Sequence, residues 1–154
     1  MTQRQASGLT LILGETRSRL EWIDQDGTHE SYSLAFGLDA LTPGPFRREP
    51  PTPLELEQAI MVVEDELMPL ATRIPPHDSL TLQSPYPLAS QLGGRHLSRE
   101  RIEQLFGQFA AMVEGDPMAS ANLPRTRHFA ATLLILREWM HHLDAGQVLL
   151  ADEV

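Results

Sequence analysis

The opening of the chain alternates apolar and polar residues in a pattern that predicts a three-stranded β-meander. The first run, residues 9–13, is apolar on both faces, as expected of a central strand. The second run alternates Leu20 and Trp22 with Glu21, which is typical of a strand with one buried face. An Asp-Gly pair then supplies the tight turn into a third run, because glycine adopts a positive φ without steric cost. Residues 9–36 are therefore predicted to form three antiparallel strands.

Three later stretches repeat apolar residues at the spacing of an amphipathic helix. The first, 52–72, begins at Thr52 with a capping box, since a glutamate follows three residues later. Pro69 is expected to kink or end this helix. The other two helices are predicted at 98–114 and 124–145.

Two further strands are predicted, at 78–83 and 147–152. Gly146 lies where a helix commonly ends in a left-handed glycine. Strand–helix–strand connections place strands in parallel with a right-handed crossover. We therefore predict an α/β fold with a mixed five-stranded sheet, in the order of a ribonuclease-H-like or actin-like single lobe. Residues 9–13 should lie centrally, antiparallel to 19–24 and parallel to 79–83. The alternative is a generic α+β domain with an antiparallel sheet and three helices.

Composition narrows the classes of function. A chain of 154 residues is most simply one domain, 1–154, here with a flexible N-terminus at 1–8. The formal net charge of −9 argues against binding to nucleic acid or to an anionic membrane surface. The absence of cysteine excludes disulfides and thiolate chemistry. The N-terminus lacks the apolar core of a signal peptide, and no apolar run approaches the roughly 20 residues of a spanning helix. We expect a cytoplasmic protein.

The six histidines do not show a metal-binding spacing. His141 and His142 are adjacent, so on a helix their side chains point about 100° apart and cannot chelate one ion together. We predict no metal site and no cofactor.

A glycine-containing stretch is a candidate anion site. Gly93, Gly94 and Arg95 precede a predicted helix start at Ser98. The backbone N–H groups of a helix start favour negative charge, which makes these residues candidates for contact with an anion.

Two regions resemble the exopolyphosphatase and guanosine-pentaphosphate phosphatase family. Residues 14–20, GETRSRL, are similar to the family's opening phosphate loop, which typically reads Asp, apolar, Gly, Ser, Asn, Ser/Thr, any, Arg, Leu. Residues 96–105 and 123–152 resemble a late helix of the family and the helix and strand near its C-terminal lobe. The resemblance implies phosphate or anion contacts from four residues of the first region: Gly14, Glu15, Thr16 and Arg19.

The chain departs from the family's pattern at the positions that carry its chemistry. The family's loop aspartate falls at Ile12 and its loop serine at Glu15. The second glycine-rich loop and the paired glutamates that bear the general base have no counterpart. Family enzymes react in a cleft between two lobes, so the resemblance implies a non-catalytic relative that acts through protein contacts.

The alternative is a hydrolase of a phosphorylated or nucleotide substrate, with Glu15, Thr16 and Arg19 near its site. Three or more carboxylates converging on residues 14–16 would favour that alternative.

The third predicted helix is apolar around much of its circumference, which suggests self-association. A large exposed apolar patch is unusual on a soluble monomer, and a two-fold interface is the commonest way to cover one. We therefore expect a homodimer, with an interface that includes this helix or an edge of the sheet; an unidentified protein partner is also compatible. The alternative is that the second helix covers the surplus. The apolar residues concerned are Phe129, Leu133, Ile135, Leu136, Trp139, Met140 and Leu143.

Overall fold

The structure, a computed structural model, describes residues 7–39, 46–86, 89–116 and 123–151. Most of the predicted flexible N-terminus, residues 1–6, lies outside these ranges. Residue 152, the last of the final predicted strand, lies outside them as well. The first strand begins at Ser7, so residues 7 and 8 belong to the sheet and not to a flexible end.

The described residues contain six strands and four α-helices. The strands are β1 (Ser7–Ile12), β2 (Ser18–Ile23), β3 (His29–Leu34), β4 (Ser79–Gln83), β5 (His96–Ser98) and β6 (Gln147–Ala151). The helices are α1 (Pro53–Leu67), α2 (Ala89–Leu92), α3 (Arg99–Val113) and α4 (Arg127–Leu143), and a 3₁₀ turn at Met68–Thr72 continues α1. Within these residues, no helix combines the length and the apolar character needed to cross a membrane.

The six strands form one mixed sheet in the order β3-β2-β1-β4-β6-β5. Strand β1 is antiparallel to β2 and parallel to β4, with Leu11 opposite Leu20 on one side and Leu82 on the other. Strand β6 is parallel to β4 and antiparallel to β5. The predicted α/β fold and the central position of the first strand are confirmed, and the generic α+β alternative is wrong.

The sheet has six strands and not the predicted five, because β5 is too short to show an alternating pattern. It spans three residues, of which only Leu97 is buried. Leu97 lies opposite Val148 of β6, and β5 forms one edge of the sheet. In sequence these residues resemble the lead-in to a helix.

Helix α1 begins and ends where local chemistry predicts. The Thr52 hydroxyl accepts a hydrogen bond from Glu55 N at 3.1 Å, and a Glu55 carboxylate oxygen accepts one from Thr52 N at 2.9 Å. The other oxygen accepts from Arg47 N. Burial raises the pKa of Glu55, but these hydrogen bonds outweigh it and leave the pKa below its ordinary value. The helix ends at Leu67, two residues before Pro69.

Helix α4 lies in the middle of the core. It contacts both α1 and α3, and the Phe129 ring lies 5.8 Å from the Phe109 ring of α3. The premise of the homodimer expectation is therefore wrong, since the second predicted helix covers the apolar surplus within the chain. The homodimer itself stays a prediction. The buried apolar side chains of α4 are Phe129, Ala130, Ala131, Leu133, Leu134, Ile135, Leu136, Trp139 and Met140.

The residue that ends α4 in the left-handed conformation is Asp144, with φ of 63°, and not Gly146. Aspartate tolerates this conformation better than most side chains do. Gly146 serves a different purpose, because a Cβ there would lie 2.8 Å from Oδ1 of Asp78. Its N–H donates to the Asp78 carbonyl oxygen at 2.8 Å, which requires this close approach.

His77, just before β4, joins the sheet to α4 through a buried hydrogen bond. Trp139 Nε1 donates to His77 Nε2 at 3.0 Å. Because Nε2 accepts, the ring proton lies on Nδ1, which donates to the Pro75 carbonyl oxygen at 3.1 Å. Burial lowers the pKa of His77, against the opposing effects of the Pro75 carbonyl and the Asp78 charge. The folded state thus favours the neutral imidazole.

We expect His77 to make the protein less stable in mild acid. Below about pH 6.5 the unfolded chain protonates this histidine while the folded chain resists, so the free energy of unfolding should fall as the pH drops. His77→Gln keeps an acceptor for Trp139 but does not titrate, and should flatten this dependence. Urea unfolding followed by tryptophan fluorescence between about pH 5 and about pH 7.5 measures the effect. An equal pH slope in the parent and the variant would contradict the assignment.

Candidate functional site

The carboxyl ends of the parallel strands β1, β4 and β6 meet at one edge of the sheet. Open α/β sheets bind ligands at this edge, because loops and helix starts gather there. Residues 13–17 leave β1 at this edge, and residues 84–86 leave β4 beside them. Three of the predicted anion-binding residues, Gly14, Glu15 and Thr16, therefore lie where the fold favours a site.

The loop at residues 13–17 is packed against the segment that follows β3. Leu38 N donates to the Gly14 carbonyl oxygen at 2.9 Å, and Asp39 N donates to the Glu15 carbonyl oxygen at 2.6 Å. Two carbonyl groups of the predicted phosphate loop are thus held by the chain itself.

Ser18 fastens the base of the same loop. Its buried hydroxyl donates to the Phe36 carbonyl oxygen at 2.7 Å and accepts from Gly14 N at 3.4 Å. One N–H group at the start of the loop is therefore already directed at a protein oxygen and not at a ligand.

Two glycines permit this packing. A Cβ on Gly37 would lie 2.6 Å from the carbonyl carbon and oxygen of Glu15, and a Cβ on Gly14 would lie 2.2 Å from the Arg17 carbonyl oxygen. Neither distance is compatible with a side chain. The glycines are required here for the close approach of two backbone segments.

The side chains around the loop bring negative charge to it. Glu15 is exposed, and its carboxylate accepts a hydrogen bond from the Tyr86 hydroxyl at 3.3 Å. The Tyr86 ring stacks on His128 of α4, with centroids 4.3 Å apart. Partial burial, then the negative charges of Glu15 and Asp39, raise the pKa of Tyr86. Two carboxylates therefore act on this hydroxyl.

Three converging carboxylates are not found at residues 14–16 within the described ranges. The described residues contain one cluster of three carboxylate or imidazole side chains, but it lies in the helices. It consists of Glu64, Glu138 and His142, whose ligand atoms lie within 4.8 Å of one another. The condition that would have favoured the hydrolase is not met by the described residues.

A cavity of about 240 Å³ opens between the ends of β1 and β4. Its wall includes Ile12, the position where the resembled family has its loop aspartate, and the side chain there is apolar and half-buried. Leu13 N donates to the Gln83 carbonyl oxygen at 2.9 Å, which joins the ends of β1 and β4 beside the cavity. None of the lining residues carries a charge: Ile12, Leu13, Gln83, Ser84 and Pro85.

Arg19, the fourth residue predicted for anion contact, pairs with a carboxylate on its own strand. Its Nε donates to a carboxylate oxygen of Glu21 at 2.6 Å on the exposed part of β2. The nearby Arg17 donates to the Ser33 hydroxyl at 3.2 Å. Of the four residues predicted for the phosphate loop, Gly14, Glu15 and Thr16 therefore lie in the loop itself. Arg19 lies on β2, where Glu21 already neutralises its charge.

The second candidate stretch, Gly93 to Arg95, does not lie at a helix start, because β5 separates it from α3. The start of α3 is already capped: Ser98 Oγ accepts from Arg101 N at 3.0 Å, and Arg99 N donates to a backbone carbonyl oxygen. Gly93 and Gly94 adopt φ of 90° and 142°, so they serve a turn that only glycine takes readily.

Arg95 nevertheless lies at the same edge of the sheet as the loop after β1. Its carbonyl oxygen accepts from Leu150 N of β6 at 2.8 Å. The sheet order puts it three strand spacings from β1, or roughly 14 Å at about 4.8 Å each. The two predicted stretches are therefore separate places on one edge and do not form a single pocket.

Sequence reasoning missed three residues of this edge: Asp39, Tyr86 and His128. Asp39 follows β3, Tyr86 follows β4, and His128 lies in the first turn of α4. The rule that parallel strands present their carboxyl ends together would have found Tyr86. The other two needed the three-dimensional packing of α4 and of residues 35–39.

The packing of this loop can be tested at its glycines. Gly37→Ala should lower the free energy of unfolding by about 1–3 kcal/mol, because the new methyl group would overlap the Glu15 carbonyl. The matched control is Gly107→Ala on α3, where a Cβ would meet no atom within 4 Å. That change should raise the free energy of unfolding by up to about 1 kcal/mol. Chemical denaturation measures both, and an unchanged stability in Gly37→Ala would show that the two segments are not held together.

No protein-family model matches the chain, and no curated protein matches it. Solved structures do share its fold. A Ppx/GppA phosphatase of Aquifex aeolicus, in its type II crystal variant, superposes with a TM-score of 0.69 at 16% identity, over 97% of this chain and 54% of that one. An exopolyphosphatase from Cytophaga hutchinsonii gives a TM-score of 0.63 at 13% identity, over 96% of this chain and 54% of that one.

An exopolyphosphatase-like protein agrees to the same degree, with a TM-score of 0.65 at 12% identity over 96% of this chain and 56% of that one. The chain thus spans about half the length of the solved structures that it matches. At these identities the likeness shows the fold. The resemblance to this family is confirmed at that level: the chain has the actin-like single-lobe fold found in Ppx/GppA structures.

Proposed function

We propose that this protein is a non-catalytic relative of the Ppx/GppA phosphatases that acts in the cytoplasm through protein contacts. The fold of the solved phosphatases supports the relation, and the side chains at the carboxyl edge of the sheet support the loss of catalysis. The observation that carries the proposal is the exposed Glu15 carboxylate, hydrogen-bonded to Tyr86, in the loop where phosphate oxygens would have to lie.

The charge of Glu15 opposes a phosphate ligand. Glu15 is exposed, so water weakens the repulsion between its carboxylate and a phosphate, but the interaction keeps its unfavourable sign. Asp39 adds a second negative charge beside Tyr86. The apolar Ile12 supplies no ligand for the metal ion that phosphoryl chemistry commonly uses.

An apolar row on α1 and the start of the 3₁₀ turn that continues it supports a role in protein contacts. Leu54, Met61 and Met68 are spaced seven residues apart and are 61%, 62% and 60% exposed. Residues seven apart on a helix lie on nearly the same side, so the three side chains form a row about 21 Å long at about 1.5 Å per residue. Methionine adapts its shape to a partner more readily than other apolar side chains do.

The hydrolase remains the second candidate because the edge holds a chain of titratable groups. Glu15 accepts from the Tyr86 hydroxyl, and the Tyr86 ring stacks on His128. A carboxylate, a phenol and an imidazole are the groups that general acid–base catalysis employs.

A phosphate-release assay separates the two candidates. Supplied with magnesium or manganese, the protein should release no phosphate from polyphosphate or guanosine pentaphosphate above the rate of Glu15→Ala, because the loop repels the substrate. Glu57→Ala, which removes an exposed carboxylate from α1, is the matched control. Turnover that is present in the parent and in Glu57→Ala but disappears in Glu15→Ala would establish the hydrolase instead.

The homodimer is proposed to form through the edge of the sheet, because α4 is covered within the chain. Strand β3 is the longer of the two edge strands, with six residues against three in β5. An edge strand presents unpaired N–H and C=O groups to a second copy.

We expect sedimentation equilibrium at micromolar concentration to give twice the chain mass of 17.2 kDa. Ser31→Lys should shift the protein towards monomer, since a lysine on an edge strand disfavours strand pairing. Gln91→Lys on α2 adds the same charge away from the edge and should leave the mass unchanged. A single species at the chain mass for the parent would end the homodimer proposal.

A further inference from the structure

Helices α1 and α4 bring three potential metal ligands together. His142 Nε2 lies 3.2 Å from Glu64 Oε2 and 3.3 Å from Glu138 Oε1. The ligand atoms of all three side chains lie within 4.8 Å of one another. We propose that Glu64, Glu138 and His142 form a binding site for a divalent transition metal, with zinc as the expected ion.

The separations suit such an ion. Zinc binds imidazole nitrogen and carboxylate oxygen at about 2.0–2.2 Å, so two ligands at a tetrahedral angle lie about 3.4 Å apart. The observed distances of 3.2 and 3.3 Å from His142 Nε2 to the two carboxylate oxygens are close to this value. A metal ion can therefore take the place of these close contacts with small movements of the side chains. One histidine and two carboxylates form a mixed N/O ligand set of the kind that zinc accepts.

The charge balance favours a cation. Glu138 is only 2% exposed, and the Glu64 carboxylate lies close to it. A buried carboxylate is costly unless positive charge compensates it. With His142 neutral, the two glutamates carry two negative charges and Arg137 beside Glu138 carries one positive charge, so one negative charge is left for a cation to offset.

Arg137 prepares one ligand for this role. Its Nη1 donates to Glu138 Oε2 at 2.9 Å, which leaves Oε1 directed at His142. Groups that hold a ligand in this way commonly change metal affinity by about 10–100-fold when they are removed.

The side chains of His142 and Glu64 are 29% and 37% exposed, so an ion can enter from solvent and a water molecule can complete the coordination. A cavity of about 240 Å³ lies beside the site, with His142 but neither glutamate in its lining. Three protein ligands and one water are a usual set for zinc. The cavity is lined by Ala71, Ile74, Pro75, Pro76, His77, His142 and Leu143.

The site is separate from the carboxyl edge of the sheet. His77 and His142 precede β4 and β6, so this cavity lies at the amino ends of the strands whose carboxyl ends face the loop at residues 13–17. A metal ion here would link α1 to α4 and stabilise the fold. The inference does not depend on whether the protein is a phosphatase.

The neighbouring His141 provides a matched control on the same helix. Its Nε2 lies 2.8 Å from Glu103 Oε2 of α3, and the other oxygen of Glu103 accepts from Arg137 at 3.3 Å. This pair offers two ligands and not three, so it should not hold zinc tightly.

Isothermal titration of the full chain with zinc chloride, after treatment with a chelator, tests the proposal. We expect one equivalent to bind, with the affinity retained in His141→Gln and lost in His142→Gln and Glu138→Gln. Glu64→Gln, at a more exposed position, provides a further ligand variant in case Glu138→Gln does not fold, as judged by circular dichroism. Arg137→Gln should weaken binding by about tenfold.

Two further readouts do not depend on heat of binding. Cobalt(II) at the site should give the visible absorption of a tetrahedral ion in the parent and in His141→Gln, and not in His142→Gln. Zinc should raise the melting temperature of the same two proteins, and a chelator should reverse the rise. Equal zinc affinity in His142→Gln and the parent, or no binding by the folded parent, would overturn the proposal.

Discussion

Helix α4 is buried around nearly its whole circumference, and most of the structure follows from the need to cover it. Its apolar side chains pack against α1, α3 and the core, and its one tryptophan donates a buried hydrogen bond to the histidine that precedes β4. A helix in this position can carry few polar groups, and each of them must find a partner. Thr132 is an example, since its buried hydroxyl donates to the His128 carbonyl oxygen one turn earlier.

The polar groups near the end of α4 form a network that reaches two other helices. Glu138 and His142 face Glu64 of α1, whereas His141 and Arg137 face Glu103 of α3. The two adjacent histidines therefore point to different neighbours, as the helical angle between successive residues requires. The angle rules out chelation by the pair but not by one histidine with acids from other positions. Glu138 and His142, four residues apart, share a face of the helix.

The sequence predicted the parts of the fold that depend on local pattern. Period-two alternation identified β2, the capping box identified the start of α1, and the strand–helix–strand order predicted that β1 and β4 pair in parallel. The pattern did not predict β5, because a strand of three residues is too short to show alternation and is defined here by its pairing with β6. It also misplaced the end of α4, because Asp144 can take the left-handed conformation that was assigned to a glycine.

The sequence patterns could not predict contacts between residues that lie far apart in the chain. His142 and Glu64 lie 78 positions apart, and Tyr86 and Glu15 lie 71 apart. No local pattern reports that such residues meet. The expected exposure of α4 was wrong for the same reason: the pattern showed that the helix is apolar around much of its circumference, but it could not show the area that α1 and α3 cover. The candidate loop was found because its chemistry is contiguous in sequence, at residues 14–16.

The two groups of carboxylates in this protein act on different properties because they differ in exposure. Glu15 is exposed, so water screens its charge from the rest of the fold, and its negative charge acts mainly on what approaches the loop. Glu138 is buried, so its charge bears on the stability of the fold and requires compensation from Arg137, His142 or a cation. The shape of the lobe and the chemistry of its edge are therefore separable. The core around α4 can therefore keep the fold of the phosphatase structures whichever side chains the loop after β1 carries.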